Sequence, residues 1–325
     1  MPSIAPVPLH IGDAPQPPRS VRQLAMQMTP EPGEWLQTAI SRWAFNTYKC
    51  SRRDLLEAMG LGTLHPVEIR GLGVALRPET ADTISAATGI SFVAVYAMTQ
   101  SMRDRCTWST FAEEMSRGVW FPYRERDLDS DPLYREITHK WCPDCLADRP
   151  GVHEMLWRHP WMHLCFTHAR VLATICAKCG KPPRIPVGST AQMWDPNTCP
   201  NVDGASANDP CSEPFHQTPS PRVDERGPLY AAQARIMAMA RSEDPLQRRQ
   251  LYELARVMEE VQDFDDDALA ALASVDIATV RNLQPRRLER GHFVQYPKTF
   301  TVLAAAAYSQ TRNAELSSHP QISSD

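Results

Sequence analysis

Cys142-Pro143-Asp144-Cys145, then nineteen residues, then Cys165-Phe166-Thr167-His168, is the stretch around which this chain organises itself. Cys176-Ala177-Lys178-Cys179 follows, then nineteen more residues, Cys199, eleven residues and Cys211. Seven of the nine cysteines fall between 142 and 211. Close CxxC spacing in a chain without secretory features points to metal rather than to disulfides. Zinc takes four nitrogen or sulfur donors in a tetrahedron. A CxxC turn offers two thiolates to one ion, and a CxxH pair completes the set. Cys142, Cys145, Cys165 and His168 are therefore expected to form one zinc site. Cys176, Cys179, Cys199 and Cys211 are expected to form a second, with His216 as the alternative to Cys211. Four donors per site leave no open position for water, so two structural Zn2+ sites are expected rather than a catalytic one.

Two catalytic motifs come close and fail. His153-Glu154 begins like the HExxH of metalloproteases, but Trp157 stands where the second histidine is needed. The deaminase pattern needs PCxxC, and Trp141 precedes Cys142. With the donor count filled, His139, His153, His159 and His163 are expected at the surface or in packing, and Cys50 and Cys106 as core or free thiols. Trp157 and Trp161 are expected to pack over the first site, where a small module is short of core, with Arg158 placed to stack on either.

Outward from the cysteines, the pattern becomes helical. Trp35, Leu36, Ala39, Ile40, Trp43 and Ala44 recur at three- and four-residue steps. Ser51 reads as the N-cap of a helix over 52–59, ended by Gly60 or Gly62. A helix starts after Pro78 and stops at Gly89, and Ser91 caps the next one. This pair, joined by Thr88-Gly89-Ile90-Ser91, is compatible with a helix-turn-helix. Residues 118–140 read as loop or short strands. Helical patterning resumes at 229–239, 246–261, 268–273 and 277–283, and Asp263, Asp265, Asp266 and Asp267 form a solvated acidic run between helices. The fold is thus expected to be mainly α. A Pro-rich arm (1–30) leads to a helix-turn-helix-like N-terminal domain (31–140), a double zinc-ribbon or knuckle module (141–216), a C-terminal helical domain (217–310) and a disordered tail (311–325).

The 325 residues are 42% apolar, which suffices for real cores. No apolar run is long enough to cross a membrane. The start lacks a basic segment followed by an apolar one, so a cytoplasmic location is expected. Net charge is −4 with histidine neutral. A zinc bound by three thiolates and a histidine adds one negative charge, and one bound by four thiolates adds two. Affinity for a phosphate backbone scales with the phosphates neutralised, so strong nonspecific DNA binding is not expected. Arg286, Arg287 and Arg290 form the best candidate for a local nucleic-acid contact. No GxxxxGK[ST], no GxSxG and no defensible DDE-type set is present, so the chain is not expected to be an enzyme.

The residues Trp141-Cys142-Pro143-Asp144-Cys145-Leu146, Leu156-Trp157-Arg158 with Trp161, Cys165-Phe-Thr-His168, Leu172 and Cys176-Ala-Lys-Cys179-Gly180 resemble the TniQ family of transposition target-selection proteins. Glu31-Pro-Gly-Glu-Trp-Leu36 with Trp43 and Ala44 is similar to the entry of that domain, and Thr88-Gly89-Ile90-Ser91 through Ala97-Met98-Thr99 also fits it. The chain departs from the family pattern where Cys165-Phe-Thr-His168 stands for CPxH and where Cys199 and Cys211 do not form a CxxC. The resemblance implies a non-enzymatic adaptor of a Tn7-like or Mu-like transposon, including CRISPR-associated ones. Such an adaptor contacts a TnsC-type AAA+ ATPase and, through it, the transposase complex. It couples them to target DNA, to an RNA-guided Cascade complex, or to both, and some members act as homodimers. The competing expectation is a stand-alone zinc-containing helix-turn-helix regulator of DNA.

Overall fold

The computed structural model describes residues 23–73, 76–99, 139–158, 162–186, 192–202, 210–242, 244, 266–273, 278 and 280. The sequence expectations for residues 1–22 of the Pro-rich arm, 118–138, 246–261, Cys106, His159, Trp161, the arginines at 286–290 and the tail at 311–325 lie outside these residues, whereas the end of the arm, 23–30, is described and places Met28 in the first core. The first helix, α1 (Leu36–Arg42), runs on into a π-helical turn, Trp43–Tyr48, that Lys49 ends in the left-handed region. Helices α2 (Arg52–Ala58), α3 (Pro66–Gly71), α4 (Pro78–Thr88) and α5 (Phe92–Ala97) follow. Capping explains their limits. The Ser51 hydroxyl accepts from the Asp54 amide while the Asp54 carboxylate accepts from the Ser51 amide, closing a capping box at α2. Pro78 opens α4, where its missing N–H costs nothing, and Gly89 ends it at φ 74°, which a side chain rarely adopts. The Ser91 hydroxyl then caps α5 by accepting from the Ala94 amide. The short α3 carries no apolar period long enough to announce it.

Where the sequence suggested one apolar stripe, α1 is buried on nearly every side, its polar residues included. Burial of Gln37 and Ser41 is tolerated because each finds partners. Gln37 Nε2 donates to the Ile69 carbonyl at 2.8 Å. Arg52, itself 4% exposed, donates to the Gln37 carbonyl at 2.6 Å and to Ser41 Oγ at 3.0 Å. Around this helix the first core assembles from Leu36, Ile40, Trp43, Leu55, Leu56, Met59, Ile84 and Val95.

A second core is built on cysteine. It joins Trp141, Cys142, Cys145, Trp157, Cys165, Cys176, Cys199, Cys211 and Phe215 to Ile236, Met237 and Met239 of helix α7 (Pro228–Arg241). Regular structure is sparse here: α6 (Pro143–Asp148), a 3-10 turn at Met155–Arg158, the two-residue strands β1 (Leu164–Cys165) and β2 (Arg170–Val171), and a 3-10 turn at Phe215–Gln217. The strands pair antiparallel, Leu164 opposite Val171 and Cys165 opposite Arg170. Helix α7 is fastened by Gln233 Oε1, which accepts from the His163 amide at 2.8 Å, and by the Tyr230 hydroxyl, which donates to the Phe166 carbonyl. Helix α8 (Asp266–Ala273) begins inside the acidic run, so Asp266 and Asp267 occupy its first turn, where the helix dipole favours negative charge. Among the described residues no helix is long and apolar enough to cross a membrane.

The two cores share a seam. Glu34 and Glu154 form an antiparallel bridge, the Trp35 amide donates to the His153 carbonyl at 2.8 Å, and the Met155 amide donates to the Gly33 carbonyl at 2.9 Å. Arg42 clamps the wholly buried Glu34 carboxylate with two bonds of 2.7 Å. On the other side Arg149 pairs with Glu154. Trp35 is the keystone. Its Nε1 donates to the Gly73 carbonyl at 3.0 Å, a packing so close that a Cβ at Gly73 would lie 2.1 Å from that nitrogen.

Candidate metal centres

The first cluster is brought together by three local devices. Cys142 is the N-cap of α6, and Pro143 at the first helical position turns Cys145 back beside it. The β1–β2 hairpin carries Cys165 at the end of its first strand and His168 in its loop, where Ala169 takes φ 45°. A bridge between Trp141 and Ala173 ties the α6 knuckle to that hairpin. The outcome is four donor atoms facing one point. Cys145 Sγ lies 3.5 Å from Cys165 Sγ, and His168 Nδ1 lies 3.6, 3.2 and 3.7 Å from the sulfurs of Cys142, Cys145 and Cys165. The edges of a tetrahedron built with zinc bond lengths are about 3.8 Å between sulfurs and about 3.5 Å from sulfur to nitrogen. The cluster is already close to those dimensions.

The second cluster meets the same test. Cys176 Sγ is 3.6 Å from Cys211 Sγ, and Cys179 Sγ is 3.8 Å from Cys199 Sγ. Its CxxC knuckle is closed by Gly180 at φ 65°, whose amide donates to the Cys176 carbonyl. Cys199 and Cys211 are drawn together by an irregular antiparallel ladder with bridges Thr198–Pro214 and Val202–Pro210. This ladder does the work of the missing CxxC. His216 is exposed and stands outside the cluster.

In each cluster all donor atoms lie within 4.8 Å of one another, so both could hold a metal ion. Electrostatics argue the same way. The Cys145 thiol is pushed above its ordinary value by hydrogen bonding to Cys142 and Cys165, while Cys165 is pulled down to about 2 by those same neighbours. In the second cluster Cys176 is drawn down to about 5 by Cys199, whose own thiol is pushed up. Sulfurs this crowded cannot all ionise beside one another, and a divalent cation is what would let them. Outer contacts hold the donors in place. His168 Nε2 is 3.0 Å from Asp148 Oδ2, so its Nδ1 faces the sulfurs. Burial opposes protonation of that ring, but the Cys165 sulfur and the Asp148 carboxylate outweigh it and raise its pKa. Asn201 Nδ2 lies 3.4 Å from Cys179 Sγ.

Among the described residues, three further histidines of the central region lie in packing and outside both clusters. His139, His153 and His163 are all buried. His139 Nε2 and His153 Nδ1 are 2.9 Å apart, and His153 Nε2 lies 2.8 Å from the Pro196 carbonyl. That carbonyl can only accept, so His153 donates to it and accepts from His139. This couple at the seam had no spacing to announce it. Its one sequence sign is that His139 precedes Trp141, on which it stacks. Trp157 joins the cysteine core as expected. Arg158 does not: its guanidinium lies 4.6 Å over the ring of Trp35, across the seam, rather than on Trp157. Cys50 is a half-buried thiol beside a small cavity near Arg52 and Trp194.

Two small cores, one helical and one built around two Cys/His clusters that could each hold a metal ion, make up the described structure. The TniQ family model matches residues 25–172, which spans the first core, the seam and the first cluster, a match that supports TniQ family membership. That family implies a transposition-associated adaptor rather than an enzyme. A search of curated proteins finds no match.

Proposed function

We propose that this chain is a non-enzymatic adaptor that links target recognition to a TnsC-type AAA+ ATPase in DNA transposition, with a structural zinc in each cluster. Cys142, Cys145, Cys165 and His168 would hold the first ion, and Cys176, Cys179, Cys199 and Cys211 the second. Bound there, zinc cross-links segments of chain that have little helix or sheet of their own. The target side is DNA, a Cascade complex or both, and the transposase is reached through the ATPase. The observation that carries the zinc assignment is the preformed tetrahedral spacing of both donor sets, each with four donors. The family match supports the adaptor role.

The second reading, a stand-alone helix-turn-helix regulator, draws on α4 and α5, which do form a helix pair across Gly89. Against it, α5 contains no charged residue. Direct phosphate contact is assigned instead to Arg286, Arg287 and Arg290. The discriminating experiment is co-purification with the co-encoded ATPase, with and without Cascade, beside a DNA mobility shift over a salt series. An adaptor is recovered with the ATPase and shifts DNA weakly alone. A regulator shifts DNA alone with a steep salt dependence. Elemental analysis is expected to return two zinc ions per chain.

A further inference from the structure

The outward face of the α4–α5 pair has the wrong chemistry for DNA and the right chemistry for protein. A recognition helix reads bases with Arg, Lys, Asn or Gln. Helix α5, Phe-Val-Ala-Val-Tyr-Ala, offers none of these. Its inner side, Val95, is buried in the first core, whereas Phe92 and Val93 stand 37% and 68% exposed. Phe92 is stacked on Tyr96 at 4.8 Å between ring centres, so the apolar tip is ordered by its own neighbour. The Tyr96 hydroxyl is already spent, donating to the Leu76 carbonyl at 3.1 Å. Beside this tip the exposed face of α4 carries Glu79 and Asp82, neither in an ion pair among the described residues. Both carboxylates act on Tyr96, where they add to burial in raising the phenol to about 12. Phosphates would be repelled by them.

We infer that Phe92 and Val93, flanked by Glu79 and Asp82, form a docking surface for a basic, amphipathic segment of a partner protein. The apolar side of such a segment would cover the α5 tip, and its Lys or Arg residues would meet the α4 carboxylates. This inference rests on the adaptor reading, and it places a protein contact where a regulator would place DNA.

The test uses the full-length, metal-loaded chain and the purified co-encoded ATPase as probe. Binding is measured by interferometry for wild type, Val93→Asp, and the double variant Glu79→Lys with Asp82→Lys. All three substituted side chains are exposed, and retention of both metals and of the wild-type melting curve verifies the fold. Val93→Asp is expected to weaken binding at least tenfold. The charge reversal is expected to weaken it severalfold at low salt and to flatten its salt dependence. Should wild type bind and both variants bind within twofold of it, the surface is wrong and the adaptor reading stands. If wild type does not bind the ATPase, both fall. Loss of DNA affinity in Val93→Asp with ATPase binding unchanged would overturn the inference in favour of a DNA-reading helix.

Discussion

The two cores of this molecule solve the same problem by different means. Between Met28 and Met98, ordinary apolar side chains on five helices bury one another, and no cysteine is among the fully buried residues. Between Trp141 and Met239 regular structure is thin, and the centre is made of six buried cysteines with a few aromatics and methionines around them. The first core can be held by removal of hydrocarbon from water. The second has less hydrocarbon and many thiols, and on the proposed reading a cation in each cluster turns their mutual repulsion into cohesion. The seam at Glu34, Trp35 and His153 makes each depend on the other.

The sharpest way to break this contrast is to remove metal. Apparent binding energies of structural zinc are about 10–16 kcal/mol, so chelation or Cys145→Ser is expected to unfold the cysteine core. Near-UV dichroism from Trp141 and Trp157 should collapse, while the far-UV helical signal of the first core persists in part. Elemental analysis of Cys145→Ser should show one metal lost or both. Retention of the full near-UV spectrum without metal would refute a metal-held core.

The converse change strikes the first core directly and leaves the donor clusters untouched. Ile40→Ala removes a fully buried side chain from the heart of α1. It is expected to cost about 2–5 kcal/mol in denaturant unfolding, with metal content unchanged.

Acid tests the seam between the two. His139 is held well below its ordinary value by burial, then by repulsion from His153 and Arg158. His153 is lowered to about 4, chiefly by burial, against an opposing hydrogen bond to the Pro196 carbonyl and with Arg158 adding to the fall. The unfolded chain therefore binds more protons than the folded one below about pH 6.5. Stability should be full above that value and fall toward pH 4, by at most about 1.4 kcal/mol per pH unit for each histidine. Urea melts between pH 7.5 and 5.5, run with metal content monitored, should show this slope in wild type and a shallower one in His139→Phe.

The smallest expected effect is at a helix end. Ser51→Ala opens the capping box of α2 and should cost about 1 kcal/mol, read as a lower melting temperature with both metals retained.

Much of this was legible beforehand wherever one residue type acts locally. Pro78, Gly89 and the serines at 51 and 91 mark helix ends because each supplies or withholds a backbone hydrogen bond within a few residues. The CxxC and CxxH pairs announced their grouping because a single turn places both donors of a pair side by side. The pairing of Cys199 with Cys211 was harder. It depends on a ladder made of isolated bridges, which leave no alternating apolar pattern to read. Arg158 was harder still, since its partner Trp35 lies more than a hundred positions away and belongs to the other core.

By itself, then, the sequence determined the chemistry and the local geometry: which residues can ligate a metal, where helices begin and end, and which family the chain resembles. Only the tertiary structure decided how the two cores meet. The Glu34–Glu154 bridge, the histidine couple at 139 and 153 and the stacking of Arg158 on Trp35 join residues distant in the chain. Contacts of that kind form when segments already folded are packed together, and no short-range period or spacing encodes them.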